Sequence, residues 1–275
     1  IIKVDHHISH ICSSFYCSPF KESSVVSIDG FGDFSSCVFG EFKNNKFNSY
    51  NQVYFPHSAG ILYQALTQFI CFKNYGDEYK LMGLSAYGEN RFEKEVHSLV
   101  NINTDQGTFD LNLEYFNHYN KIIDYNWENG TPSFSNLYEE DKFSNLFGFN
   151  SRKKDEDLTQ THMDLAFSTQ YIYEKIFFNI LQKIESKKKN HNLCLSGGCS
   201  LNSLANGKIY EQFNFKNIYM PPASGDAGGS IGSALYKYFE IYNQNKHHHL
   251  KNPYLGPIFQ TSKIRELIKN ENLEK

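Results

Sequence analysis

His6 and His10 stand four residues apart in "HHISH". On a helix that spacing puts both imidazoles on one face, about 6 Å apart at the backbone and able to converge on one ion. Two imidazoles alone make a weak site, and exposed or core-satisfied histidines fit the same spacing. Asp29 narrows the reading, because it closes the apolar run "SSVVSIDG", where a buried carboxylate is costly unless paired or coordinated. Asp226 stands in the same way at the end of a second strand-like run, "NIYMPPASGD", immediately before a helix. Imidazoles with carboxylates at strand ends are the donor set of a non-haem iron or related divalent site with open positions. His7 points elsewhere on the helix, as a contact to substrate or to the ligands from behind. His247 to His249 lie in the polar stretch "NQNKHHHLKNP" and are expected in solvent.

Glycines form a second constellation. Gly30 and Gly32 in "DGFGD", Gly197 and Gly198 in "SGGCSLN", and Gly225 in "SGDAGGS" each follow a strand-like run. Glycine permits close backbone approach there, and amides at such turns and at the helix starts beyond them can hold phosphate oxygens. Each alone is an ordinary turn; three together fall where open α/β sheets bind ligands, at the strand carboxyl ends. No GxxxxGK[ST] loop and no GxSxG elbow is present, and Cys199 has no assignable base.

The elements that must position these residues are legible from periodicity. Ile8, Ile11, Phe15 and Tyr16 predict a helix from His6 to Ser18, ended by Pro19. "SSVVSIDG" reads as a buried strand, then "SSCVFGEF" and "FNSYNQVYF" as a hairpin around "KNNK". Pro56 and Ser58 open an apolar helix to about Phe72, with Ser58 as its cap. "NYGDEYKLMGLSAYG" reads as a loop, and residues 101–157, rich in Asn, Asp and aromatics, as an insertion or surface subdomain. Thr161 starts the longest helix, with a stripe of Leu165, Ile172, Ile176, Phe177, Ile180 and Ile184. Two strand-turn-helix units follow, "NLCLSGG" with "SLNSLANGKIYEQF" and "NIYMPPASGD" with "GGSIGSALYKYFEIY", so the class is α/β, a sheet with helices on its faces.

Composition bounds the partners. The 275 residues carry a formal net charge of −3 and no lysine or arginine stripe, which argues for a small-molecule partner and against nucleic acid. "AGILYQALTQFICF" is too short and too interrupted to cross a bilayer, no signal peptide precedes it, and no membrane role is expected. Six cysteines without a Cys-x-x-Cys pair read as reduced thiols in a cytoplasmic protein. The first residue is Ile1, and the chain reads as cut from something longer.

The blocks "HHISHICSSFYCSPF", "SIDGFGD", "GDEYKLMGLSAYG", "LCLSGGCSLNSLANGKIY", "PPASGDAGGSIGSA" and "NPYLGP", in this order and spanning nearly the whole chain, resemble the O-carbamoyltransferases of the nodulation-protein and antibiotic-tailoring type. The resemblance implies an actin-like ATPase fold, of the sugar-kinase and Hsp70 superfamily, incomplete here at the N-terminus because the first phosphate-loop strands are lacking. It implies an actin-like transfer domain over residues 1–245, then over 246–275 a linker and the start of a truncated adenylating domain. A metal, Fe2+ by expectation, would be held by His6, His10, Asp29 and Asp226. Gly197, Gly198 and Asn202 would contact nucleotide, Gly30 and Gly32 would form a phosphate-facing turn, and Gly225 would join them. Lys80, as a phosphate or carbamoyl contact, and His7 are the catalytic candidates. Such enzymes use carbamoyl phosphate and ATP to make carbamoyl adenylate, then pass the carbamoyl group to a hydroxyl with release of AMP. An ion beside the adenylate phosphate would stabilise the leaving group and orient the acyl carbon, and glycine-turn amides would add fixed electrostatics. Cys12, Cys199 and Ser85 stand where the family blocks more often carry alanine, valine and alanine. The acceptor, a small molecule or a glycan-like hydroxyl, is not legible, and a homodimer is compatible with the sequence. The HxxxH pair alone is shared with the tRNA threonylcarbamoyl transferases, which form the runner-up reading; a non-catalytic nucleotide- or metal-binding fragment is the third.

Overall fold

The computed structural model describes residues 1–128, 130–134, 136–242 and 249–271. His247 and His248 lie outside the described residues, while His249 is exposed. Asp5 caps α1 (His6–Cys17), its carboxylate accepting from the Ile8 amide, and the helix stops at Ser18, one residue before Pro19. Three antiparallel strands follow: β1 (Glu22–Gly32), β2 (Ser35–Lys43) and β3 (Lys46–Tyr54). Asp33 and Phe34 turn β1 into β2, Asn44 and Asn45 turn β2 into β3, and all four have positive φ, as two-residue hairpin turns require. Then come α2 (Ala59–Phe69), capped by Ser58 as expected, and α3 (Glu78–Leu84). Helix α3 occupies the stretch read from sequence as loop: seven residues between Gly76 and the turn at Ser85–Tyr87 are too few to display helical periodicity.

Helix α4 (Glu93–Ser98) leads into two small hairpins, β4 (Val100–Asn103) with β5 (Thr108–Leu111) and β6 (Tyr125–Glu128) with β7 (Thr131–Phe134), and then α5 (Glu140–Phe147). Phe109, Phe116, Leu137, Tyr138, Phe143 and Phe147, all from the weakly periodic segment 101–157, are buried in the main core. The long α6 (Gln160–Lys187) carries its expected apolar stripe wholly buried. The two strand-turn-helix units are β8 (Asn192–Ser196) with α7 (Ser203–Gly207) and α8 (Ile209–Gln212), and β9 (Asn217–Tyr219) with α9 (Gly229–Tyr242). An exposed α10 (Thr261–Asn270) ends the described chain.

The mixed five-stranded sheet has the order β3-β2-β1-β8-β9, with β8 and β9 parallel to β1. Alternation along its strands feeds two cores. Val26, Ile28, Cys37, Phe39, Leu193 and Leu195 pack with α2 and α6, while Val25, Val38, Phe42 and Cys194 pack with α1 and α9 on the other face. Phe15 of α1 stacks on Phe42 of β2 at 4.0 Å, and Tyr16 on Phe239 of α9 at 4.2 Å. Burying one such phenylalanine contributes about 1.5–3 kcal/mol, so the helix that carries both histidines is held firmly to the sheet. Among the described residues none of the six cysteines forms a disulfide, and no helix is long and apolar enough to cross a membrane.

Candidate functional site

The four sequence-derived ligands meet. Nε2 of His10 lies 2.8 Å from Asp29 Oδ2 and 3.4 Å from Asp226 Oδ1; Nε2 of His6 lies 3.4 Å and 3.6 Å from the same oxygens. The two Nε2 atoms are 3.0 Å apart, and all four donor atoms lie within 4.8 Å of one another. Each donor is placed by a specific local feature. His6 and His10 share one face of α1, whose first amide is tied to Asp33 Oδ2 in the β1–β2 turn at 2.8 Å. Asp29 lies within a register shift of β1 between Ile28 and Gly32, a bulge that re-aims its side chain. The Gly30 amide donates to its Oδ1 at 2.8 Å, leaving Oδ2 for the imidazoles. Asp226 opens the short turn before α9 and is the solvent-facing member, with 64% of its side chain exposed.

Electrostatics ties the group together. Burial works to raise the Asp29 carboxyl, but hydrogen bonds from His10 and His6 outweigh it and hold the acid well below the usual carboxylate range. The bond to Asp29 raises His6 in turn, against the effect of its own burial. A first-row divalent ion with bonds of about 2.0–2.1 Å sets neighbouring ligands about 3.0–3.4 Å apart, close to the separations found here. Two imidazole nitrogens at 3.0 Å, with two carboxylate oxygens beside them, fit a cation among them.

Asp29 and Asp226 also line a cavity of about 350 Å³, together with Gly30, Gly198, Asn202 and Gly225. Six sequence-derived residues therefore line one cavity. Gly32 is not among the lining residues, and its place beside the site has another cause: a Cβ there would fall 2.0 Å from the His6 ring. Gly197, at φ +86°, passes the Ile28 carbonyl, where a Cβ would fall 2.2 Å from the oxygen. Gly198 makes room for the Asp29 carboxylate, since a Cβ there would fall 3.0 Å from Oδ1. Asn202 lines the cavity with its amide already committed. It exchanges two hydrogen bonds with Gln170, at 2.8 and 2.9 Å, and its oxygen also caps α7 through the Ala205 amide.

The two catalytic candidates lie off the cavity. His7 is buried against β1 and β2, with Nδ1 2.8 Å from Ser27 Oγ and Nε2 3.0 Å from the Ser35 carbonyl; burial lowers its pKa. Lys80 pairs with Asp77 at 2.7 Å and lies over the Phe72 ring, because a turn of α3 carries it away from the lining residues. Sequence reasoning missed Gly60, Tyr63, Tyr75, Glu78, Tyr79 and Tyr173. Gly60 had a signal, as it stands two residues after the Ser58 cap; a Cβ on it would fall 3.0 Å from Gly30 Cα and 3.1 Å from Cys199 Sγ.

An uncharacterized protein of Synechocystis is 37% identical over 96% of this chain and 42% of its own length. The nodulation protein NolNO of Sinorhizobium fredii is 28% identical over 92% of this chain and 34% of its own. The chain thus spans less than half the length of the relatives it matches. A solved full-length HypF in the phosphate- and nucleotide-bound form shares 12% identity over 90% of this chain and 44% of that one, with a TM-score of 0.42, too distant to bear on the site. Residues 1–235 match the family model for the carbamoyltransferase N-terminus, and the chain belongs to that family.

Proposed function

We propose that this chain is the transfer part of an O-carbamoyltransferase, which receives a carbamoyl group as carbamoyl adenylate, made from carbamoyl phosphate and ATP, and hands it to a hydroxyl of a small-molecule or glycan-like acceptor. The observation that carries the reading is the convergence of His6, His10, Asp29 and Asp226, two of which, Asp29 and Asp226, line the cavity. The sheet, three antiparallel strands followed by two parallel ones with helices on both faces, supports the actin-like fold implied by the family resemblance.

Charge supports the same reading. Among the described residues lining the cavity, Asp29, Glu78 and Asp226 are the charged ones, and no lysine or arginine joins them. A phosphate brought into that environment is repelled unless a cation is present. A divalent ion such as Fe2+, when bound by the four ligands, supplies that positive charge and steadies the phosphate as leaving group. The chain's own residues do the rest: the turns at Gly30, Gly198 and Gly225 let backbone come close to a ligand, and the buried Tyr63 and Tyr173 line the same cavity.

The test uses the whole protein, purified without oxygen and supplied with carbamoyl phosphate, ATP and a panel of hydroxylated acceptors. Mass spectrometry should show a carbamoylated acceptor with the wild type and its loss with His10→Ala, together with loss of bound metal. Transfer that persists in His10→Ala refutes the metal role, and no product with any acceptor counts against the activity.

A further inference from the structure

We propose that Glu78 is the base that accepts the proton of the acceptor hydroxyl during carbamoyl transfer; this rests on the reading above and adds a residue to it. Glu78 opens α3 and lines the same cavity as Asp29 and Asp226, with Tyr75 and Tyr79, which are 58% and 64% exposed, also in the lining. It is the one lining carboxylate outside the histidine cluster. Among the described residues no side chain hydrogen-bonds to it, and its partners are its own amide and that of Gly76.

The other lining groups are committed. Tyr63 donates its hydroxyl to Gln170 at 2.9 Å and Tyr173 to the Cys199 carbonyl at 2.7 Å. Burial pushes the Cys199 thiol far up, and the Asn202 amide is held from both ends. Asp29 and Asp226 face the imidazoles. Burial also lifts the Glu78 carboxyl above the ordinary glutamate value, and Asp77 beside it pushes the same way, against the two backbone amides. Its ionised form meets Tyr63, Tyr75 and Cys199 around the cavity, whose own ionisation its charge opposes. A carboxylate raised in this way is a better proton acceptor near neutral pH than an ordinary one.

In the step, the acceptor oxygen bonds to the carbamoyl carbon while the bond from that carbon to the adenylate phosphate oxygen breaks, its electron pair leaving with AMP. The hydroxyl proton passes to Glu78 and from there to water. Lys80, two residues on, takes no part; it is held by Asp77.

The experiment compares wild type and Glu78→Gln of the whole protein, measuring acceptor carbamoylation against pH alongside acceptor-independent carbamoyl adenylate formation and metal content. The expected result is a fall in transfer of about 10²–10⁴-fold with disappearance of the acid limb of kcat/KM, while adenylate formation and metal content stay at wild type. Transfer within about threefold of wild type, an acid limb unchanged, or adenylate formation lost in parallel overturns the assignment. If Glu78→Gln does not accumulate, Glu78→Ala with added formate decides: restored transfer supports a missing base, and no restoration overturns it. A wild type that carbamoylates nothing overturns the parent reading, whereas an active wild type matched by an equally active variant overturns Glu78 alone.

Discussion

Gly232 joins the stability of this fold to its candidate chemistry, and Gly232→Ala perturbs both at once. The residue lies flush on α1, where a Cβ would fall 1.8 Å from the Ser9 carbonyl oxygen, 2.7 Å from its carbon and 2.8 Å from the Ser13 amide nitrogen. These are backbone atoms and cannot rotate aside. Ordinary contact begins at 3.4 Å, so α1 and α9 must part by about 1.6 Å along that line. On its far side α1 is braced by the stack of Phe15 on Phe42, so the displacement falls mostly on α9. Overpacking of this kind costs about 1–3 kcal/mol, and a backbone obstacle puts it at the upper end. For a domain of this size that is a loss of roughly 6–12 °C in Tm. Ser9 precedes His10, and Asp226 stands three residues before α9, so the same movement lengthens the 3.4 Å separation between His10 and Asp226. Metal affinity should fall about 10–100-fold, the scale of disturbing the support behind a ligand. Scanning calorimetry gives the first quantity and metal titration of chelator-treated protein the second. A Gly232→Ala protein melting within about 1 °C of wild type would falsify the packing of α1 on α9 described here.

Two further substitutions separate packing from conformation and from charge. Gly83→Ala lies inside α3, where a Cβ meets nothing within 4 Å, so it should stabilise the protein by about 0.5–1 kcal/mol; a lower melting temperature would count against α3 as a helix. His162 closes the N-terminus of α6 by accepting the Thr159 amide on Nδ1 at 3.0 Å, and burial lowers its pKa, with Arg152 adding to the effect against Glu156. With a folded value below the unfolded one, its contribution is complete above an unfolded pKa of about 6.5 and is lost as pH falls from there through the lower folded value. His162→Gln keeps an acceptor at the same capping position without titrating, so its melting temperature should decline less than that of wild type between about pH 7 and 5; parallel curves would sink the assignment.

What the sequence made legible was whatever a period or a cap announces. The face of α1 bearing His6 and His10, the Ser58 cap and the stripe of α6 were each read correctly to within a few residues, because each depends on neighbours three or four positions away. Segment 101–157 shows no such period, since Phe109, Phe116 and Phe143 enter the core as single anchors from separate short elements. The pairing of Lys80 was hidden for a related reason. A lysine in a glycine-rich block looks available for phosphate, and nothing in residue types alone says that Asp77, three residues earlier, holds it once the segment turns helical.

The glycines show where residue type stops being informative. All five singled out in the sequence lie near the site, yet they do different work. Gly30, Gly198 and Gly225 border the cavity, Gly32 makes room for the His6 ring, and Gly197 lets the turn after β8 pass the Ile28 carbonyl. Glycine announces that something approaches closely, and only the packed chain decides whether that is a ligand, an imidazole or another strand. The consequence for the chemistry is direct. Substituting Gly32 or Gly198 crowds His6 or Asp29 first, whereas a side chain at Gly30, which lines the cavity, meets nothing within 4 Å.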